Sequence, residues 1–275
     1  MNPLTYPFAD LSLARRLEQT EAHGNVLFVE ARARAFPDSG ATWIEVAGTR
    51  AMFDGPTSPI SQTFGLGMLH PVTAENLNTI EHFFQDRGAE VFHEVSPLAD
   101  PTAVALLNER GYQPIEFTTI LFRPISRDVT LPASPNEKVK VRLRAEGEEE
   151  IWSNIALQGW SEFEEVIDFM RDMGKVQGAS ESLGFMAELN NQPIATGMMS
   201  INEGVALLAG ASTIPEARRQ GAQNALLEGR LRYAAEQGCD IAMMAALPGS
   251  ASQRNAERNG FRIAYTRIKW HLRKQ

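Results

Sequence analysis

The sequence predicts a mixed α/β (α+β) protein, a mixed sheet flanked by helices, laid down twice along one chain. Three observations carry this expectation. Strand–helix–strand units recur, a hairpin candidate precedes the second of them, and a linker-like stretch splits the 275 residues into halves of similar size. Short connections between alternating strands and helices leave few other layer arrangements.

The first half reads as follows. Leu11, Leu13 and Leu17 are expected core positions. Thr63–Leu69 is a buried-strand candidate that leads to Pro71 and a helix, in which Leu77, Ile80 and Phe84 recur at helical spacing. Ile80 and Phe83 are also read as core. Glu90–Val95 is the next strand; it reaches Pro97, a short helix, a Gly111-Tyr112 exit and an extended run with Phe117-Thr118. Residues 126–140 hold two prolines and few large apolar groups, which suits a linker.

The second half repeats the order. Leu183–Leu189, the turn Asn190-Asn191-Gln192 and Pro193–Ile201 make a hairpin candidate. Gly204–Thr213 is a buried-strand candidate followed by Pro215 and a helix with Leu227, Leu231 and Ala234 at helical spacing. Asp240–Ala246, Pro248, a short helix, Gly260-Phe261 and Tyr265-Thr266 complete the copy. Pro71 to Pro97 spans 26 residues and Pro215 to Pro248 spans 33. The longer spacing includes Arg218-Arg219-Gln220-Gly221-Ala222-Gln223, which the first copy lacks. The domains expected are 1–125, the linker 126–140, and 141–275.

Composition narrows the function. The net charge is −8, with 43% hydrophobic and 22% charged residues, as in globular proteins. No apolar run approaches the roughly 20 residues of a membrane span. Met1–Asp10 lacks the basic and apolar pattern of a secretory leader, so a cytoplasmic protein without membrane or nucleic-acid partners is expected, monomeric or homodimeric. One cysteine, Cys239, excludes an internal disulfide, and the five histidines show no ligand spacing, so no metal is expected. Cys239 reads as core rather than nucleophile. Charge is uneven: residues 1–130 carry −7, residues 131–200 carry −6, and residues 201–275 carry +5. A basic segment in an acidic chain suits either a local anionic ligand or a solvated basic surface.

Arg218 and Arg219 sit where a helix begins, the end that already carries about half a positive charge. An anion there would resolve the conflict, because unpaired backbone N–H groups at a helix start point at phosphate oxygens. Gly221 lets a ligand approach the backbone closely.

The stretch Pro215-Glu-Ala-Arg218-Arg219-Gln-Gly221-Ala222-Gln223-Asn-Ala-Leu226-Leu227 resembles the coenzyme A motif of the Gcn5-related N-acetyltransferases (GNAT). The segment Ser250 to Asn255, Arg258 and Gly260-Phe261 resembles that family's ending. The resemblance covers about residues 140–275, with the first half as a degenerate copy recognisable by arrangement. It implies two GNAT-like domains, each a mostly antiparallel twisted sheet flanked by helices, the second binding acetyl-coenzyme A. Arg218, Arg219, Gln220, Gly221, Ala222 and Gln223 would hold the pyrophosphate. The backbone of Ala211, Ser212 and Thr213 would hold the pantetheine arm, and Ser252 or Asn255 would offer it a polar group. Arg258 either reaches a phosphate or is a solvated helix residue. Two departures stand out: Gln223 replaces the usual Gly or Ala, and Ala256 occupies the place of the family's thiolate-protonating Tyr.

The implied reaction is acetyl transfer from acetyl-coenzyme A to a small-molecule primary amine, by direct attack in a ternary complex. A lysine-like amine, with a pKa near about 10.4, must first lose a proton. Glu188 is a candidate base, or a solvated strand residue. Ser252 or an ordered water is a candidate acid, with Tyr265 behind it. Trp160, Glu162 and Phe163, within Gln158–Asp168, would meet a cationic amine, or form an amphipathic helix with a solvated acidic face. Two alternatives remain: a non-catalytic acyl-coenzyme A sensor, consistent with Ala256, and a Fem-like peptidyl transferase using aminoacyl-tRNA, which the acidic balance and the loop disfavour.

Overall fold

The computed structural model describes residues 5–127, 136–162 and 171–272. In chain order the elements are α1 (Leu11–Ala35), β1 (Thr42–Val46), β2 (Thr49–Phe53), β3 (Gln62–Phe64), α2 (Ala74–Gln85), β4 (Val91–Val95), α3 (Pro101–Glu109), β5 (Gln113–Pro124) and β6 (Val139–Leu143). They continue with α4 (Glu149–Gly159), α5 (Met173–Ala179), β7 (Leu183–Leu189), β8 (Gln192–Asn202), β9 (Val205–Thr213), α6 (Ala222–Glu236), β10 (Ile241–Ala246), α7 (Ala251–Arg258) and β11 (Arg262–Leu272). The fold is mixed α/β, with a mostly antiparallel sheet flanked by helices. No described helix is long and apolar enough to cross a membrane.

Two compact units form. Unit 1 is Met1–Tyr6 with Arg123–Met244, and unit 2 is Pro7–Phe122 with Ala245–Gln275. The units therefore interleave in sequence, and the stretch from 245 onward groups with the first half rather than with 141–244. The physical reason is β11, which pairs antiparallel with β4 on one edge and β5 on the other. Of the expected linker, residues 128–135 lie outside the described residues.

Unit 1 carries the strand order β10-β9-β8-β7-β6. β6 to β9 run antiparallel and β10 runs parallel to β9. The β7–β8 turn is the two residues Asn190 and Asn191, with φ of 53° and 61°. Both are left-handed, as a twisted two-residue hairpin requires, and asparagine tolerates that conformation well. Helices cover both faces. Ser212 lies with Thr196 against α4, whose Ala156 carbonyl it meets, while the neighbouring Gly197 faces Arg230 of α6. The apolar stripe of α6, Leu226, Leu227, Leu231 and Ala234, is buried on the sheet. Cys239 is buried too, just before β10.

Unit 2 carries β1-β2-β3-β4-β11-β5. Leu77, Ile80, Phe83 and Phe84 of α2 and Leu107 of α3 form one core with Val91, Val95 and Trp270. Val26 and Val29 of α1 form another with Met52 and Phe64. Of the expected core positions, Leu13 and Leu17 are buried, but Leu11 is 37% exposed, because it is the first residue of α1, after the cap Asp10. The strand expected at Thr63–Leu69 stops at Phe64, since Gly65 and Gly67 take positive φ and turn the chain.

A buried ionic cluster ties β11 into this unit. Arg267, 1% exposed, makes a two-pronged bond to Glu21 at 2.9 and 3.0 Å and donates to Glu94 at 2.8 Å. Glu18 lies 3.4 Å from Arg267 and accepts from the Tyr265 hydroxyl at 2.9 Å. Burial raises the Glu18 pKa from 4.5 to about 7, against the pull of Arg267, and burial also raises that of Glu94. A carboxyl raised in this way takes up its proton more readily folded than unfolded. Its contribution is complete below about pH 4.5 and is lost as pH rises through about 7. Thermal melts from pH 5 to 8 should therefore show the native chain losing stability with rising pH over this window. Glu18→Gln should flatten that dependence and melt no lower than native at pH 8.

Candidate functional site

The site begins where β9 parts from β10. The parallel register joins only Val205–Leu207 to Ile241–Met243, whereas the β8 register continues to Ala195–Thr213. Between these limits the β8–β9 ladder shifts: Thr196 faces Ser212 but Met198 faces Ala209. β9 thus gains one residue, a β-bulge, and Gly210 takes φ of 59° there. Ala209 and Gly210 are exposed, Ala211 is half-buried, and Ser212 and Thr213 are buried.

Two contacts fix the end of β9. Gln223 donates through Nε2 to Thr213 Oγ1 at 2.8 Å, so this side chain turns onto the strand. At the C-terminus of α4, a Cβ on Gly159 would lie 2.4 Å from Ser212 Oγ, so only glycine permits this approach.

The chain then makes a 3-10 turn, Pro215–Ala217, and exposes Arg218, Arg219 and Gln220. Arg219 has φ of 64°, a conformation non-glycine residues hold at a cost of roughly 1 kcal/mol or more. Gly221 follows with φ of 87° as the N-cap of α6, and no side chain caps the helix. The Gln220 carbonyl is held by Asn136 Nδ2 at 2.9 Å. In unit 2, α2 starts differently: Thr73 and Asn76 satisfy each other's backbone N–H groups in a capping box. One helix start is closed by its own side chains; the other is left to backbone amides beside two exposed guanidinium groups.

The structure brings together directly two residues expected at different parts of the site, one for the cofactor and one for the amine. Arg218 Nη1 donates to Glu162 Oε2 at 2.8 Å, an exposed ion pair linking the loop to the stretch after α4. Trp160, the C-cap of α4, is half-buried nearby in sequence. Phe163 lies outside the described residues, as do Glu164, Glu165 and Asp168. Glu188 accepts from Arg142 Nη2 at 2.7 Å, and Arg142 also binds Glu148 at 2.6 Å. Hydrogen bonding from Arg142 holds the Glu148 carboxyl down to about 2. Glu188 is thus engaged in an ion-pair network.

Ser252, Asn255 and Arg258 belong to α7 of unit 2. Ser252 and Arg258 are exposed, Asn255 accepts from Asn259, and the helix cap is Ser250. Ala256 is fully buried. Tyr265 is buried with its hydroxyl committed to Glu18, and burial raises its pKa well above the ordinary range. Burial likewise raises the Cys239 thiol. Arg230 escaped the sequence reading, although a signal existed: it falls four residues before Ala234, on the apolar stripe of α6.

Residues 149–261 match the acetyltransferase (GNAT) family model. That span starts with α4 and takes in β9, the Arg218–Gln223 loop, α6 and α7. No curated protein matches the chain significantly. Among solved structures, a GCN5-related N-acetyltransferase from Kribbella flavida superposes with a TM-score of 0.63 at 18% identity, over 92% of this chain and 96% of that one. A tandem GNAT protein from the clavulanic acid biosynthesis pathway gives 0.57 at 13% identity, over 98% of each chain. At these identities the likeness is one of fold. The bulged strand β9 lies within the matched span.

Gly159→Ala tests how tightly that strand end is held. Overpacking against Ser212 and the Thr213 backbone should lower unfolding stability by about 1–3 kcal/mol in urea titrations.

Proposed function

We propose that unit 1 is the cofactor-binding part of an acetyl-coenzyme A-dependent N-acetyltransferase acting on a small-molecule primary amine in the cytoplasm. The observation that carries this reading is the start of α6: an uncapped helix N-terminus with a left-handed glycine, two exposed arginines, and a strand whose pairing has just ended. Such a start suits a diphosphate, because helix-terminal amides and the helix dipole favour anions. Arg218, Arg219, Gln220, Gly221, Ala222 and Gln223 would hold it, and the Ala211–Thr213 backbone would hold the pantetheine arm. The residues fit: the guanidinium groups face solvent and Gly221 presents no side chain at the cap.

Acetyl-coenzyme A supplies an acyl group activated as a thioester. The protein's part is to hold it, to direct backbone N–H groups at its carbonyl, and to receive a neutral amine. Buried Cys239 is not called on, so the amine attacks directly. Trp160 and Glu162 are proposed to border the amine's approach. The first half is proposed to be a degenerate copy: its α2 is closed by a capping box where α6 is open. A second reading, a coenzyme A-binding sensor, is favoured by Ala256 at the family's acid position and by the engagement of Glu188 with Arg142. Free-thiol release from acetyl-coenzyme A across a panel of amines separates the two; binding without release on any amine selects the sensor.

Calorimetric titration tests the cofactor assignment. The native chain should bind acetyl-coenzyme A, and Gly221→Glu should lose more than about a hundredfold in affinity, because a carboxylate would meet the diphosphate. Arg218→Gln, which leaves the backbone conformation alone, should lose roughly tenfold. Equal binding by all three would refute the site.

Glu162→Gln should act in the opposite direction. An exposed ion pair is worth about 0.2–1 kcal/mol, so releasing Arg218 should tighten acetyl-coenzyme A binding by roughly 1.4- to fivefold in dilute salt. The gain should shrink in concentrated salt.

A further inference from the structure

Arg230 is 3% exposed, yet its acceptors among the described residues are three backbone carbonyls and no carboxylate. Nε donates to Leu226 at 3.2 Å, and Nη1 donates to Met198 at 3.0 Å and to Ala209 at 3.2 Å. Burial lowers its pKa to about 10, so it remains charged at neutral pH. Burying a cation without a counter-charge is unfavourable, and an apolar residue on the α6 stripe would avoid that penalty. The helix does not need Arg230, since the Leu226 carbonyl already lies within its own ladder.

What the guanidinium does is join two strands. Met198 and Ala209 are the facing pair on the near side of the bulge, and Arg230 holds both carbonyls. Gly197, on the far side of Met198, leaves room for it: a Cβ there would stand 3.1 Å from the Arg230 Cζ and Nη1. Glycine at 197, glycine at 210 and arginine at 230 thus form one device.

We propose that Arg230 is a positioning residue for the pantetheine arm: it clamps β8 to β9 at the bulge and so sets the direction of the Ala211, Ser212 and Thr213 backbone groups. The proposal rests on the reading of Arg218–Gln223 as the diphosphate site. It assigns Arg230 no contact with the ligand.

The test compares coenzyme A with adenosine diphosphate, which carries the diphosphate but no pantetheine. Calorimetry is run on the native chain, Arg230→Met, Arg230→Lys and Gly197→Ala. Arg230→Met should hold adenosine diphosphate within about twofold of native while losing roughly tenfold for coenzyme A, the scale of one or two lost hydrogen bonds. Arg230→Lys should recover part of the loss. Gly197→Ala keeps the arginine but displaces its guanidinium, and should shift coenzyme A in the same sense; it decides the matter if Arg230→Met does not fold. Amide hydrogen exchange at 209–213 should accelerate in these variants while α6 stays protected. Unchanged coenzyme A affinity, equal loss of both ligands, or unchanged exchange at 209–213 would overturn the clamp. A native chain that binds neither ligand overturns the diphosphate site instead, and the exchange measurement still decides the clamp.

Discussion

A backbone amide or carbonyl that leaves a sheet must find another partner, and this constraint organises the corner of unit 1 where β9 parts from β10. On the β8 side the ladder continues to Thr213; on the β10 side it ends at Leu207. The polar groups beyond that point are shared out. Arg230 takes the Ala209 carbonyl, and Gln223 takes the Thr213 hydroxyl. Next along the chain comes a helix start that no side chain caps. Backbone donors gather in one place because the same strand both loses a neighbour and delivers the chain to a helix. The exposed arginines of the loop add positive charge, which favours the same anionic ligand that such donors favour.

Unit 2 handles comparable groups by using them up internally. Thr73 and Asn76 close α2, Asp100 caps α3 through the Thr102 N–H, and Arg15 takes the Met68 carbonyl. A buried chain runs from Thr63 through His93 to Tyr112 and Glu81. Its proton order follows from chemistry. Burial pushes His93 down to about 3, so the ring is neutral and carries one N–H. The Tyr112 hydroxyl donates to Glu81, so His93 Nε2 must donate to Tyr112 and Thr63 must donate to Nδ1. Each member has one role, and the chain is a fixed structural network.

Much of this was legible in the residues. Asn190-Asn191 announced its hairpin, because few residues other than Gly and Asn accept two left-handed positions in a row. The α2 and α6 stripes were visible at helical spacing, and Pro215 with Gly221 marked a strand-to-helix turn around a basic pair. What stayed hidden depends on long-range pairing. Nothing local in Arg262–Leu272 says that this strand inserts between β4 and β5, since its partners lie 140 residues or more away in sequence. The β1–β2 hairpin was missed because Ala47-Gly48 is a weaker turn signal than Asn-Gly, although both residues take positive φ. The bulge escaped as well: one extra residue in a strand leaves little trace beyond a glycine, and Gly210 sits among small residues that read equally well as regular strand.

Two buried arginines show why composition alone could not rank these residues. Arg230 lies on the apolar stripe of α6 and Arg267 on the strand face it shares with Tyr265 and Lys269, and both are desolvated. Arg267 is surrounded by Glu18, Glu21 and Glu94, and lies over the Phe64 ring with its Cζ 4.7 Å from the centroid. Three carboxylates around one cation leave excess negative charge, which is why burial can raise Glu18 and Glu94 while Arg267 stays charged. That arrangement locks β11 to β4 and α1, and its strength depends on pH. Among the described residues Arg230 is held by carbonyl dipoles, with no acidic partner to be protonated away beneath it. A guanidinium held by fixed dipoles keeps its geometry across the pH range over which a carboxylate pair would loosen. A guanidinium held by carbonyl acceptors needs room beside the strand, and the sequence supplies it with Gly197, where a Cβ would stand 3.1 Å from the Arg230 Cζ.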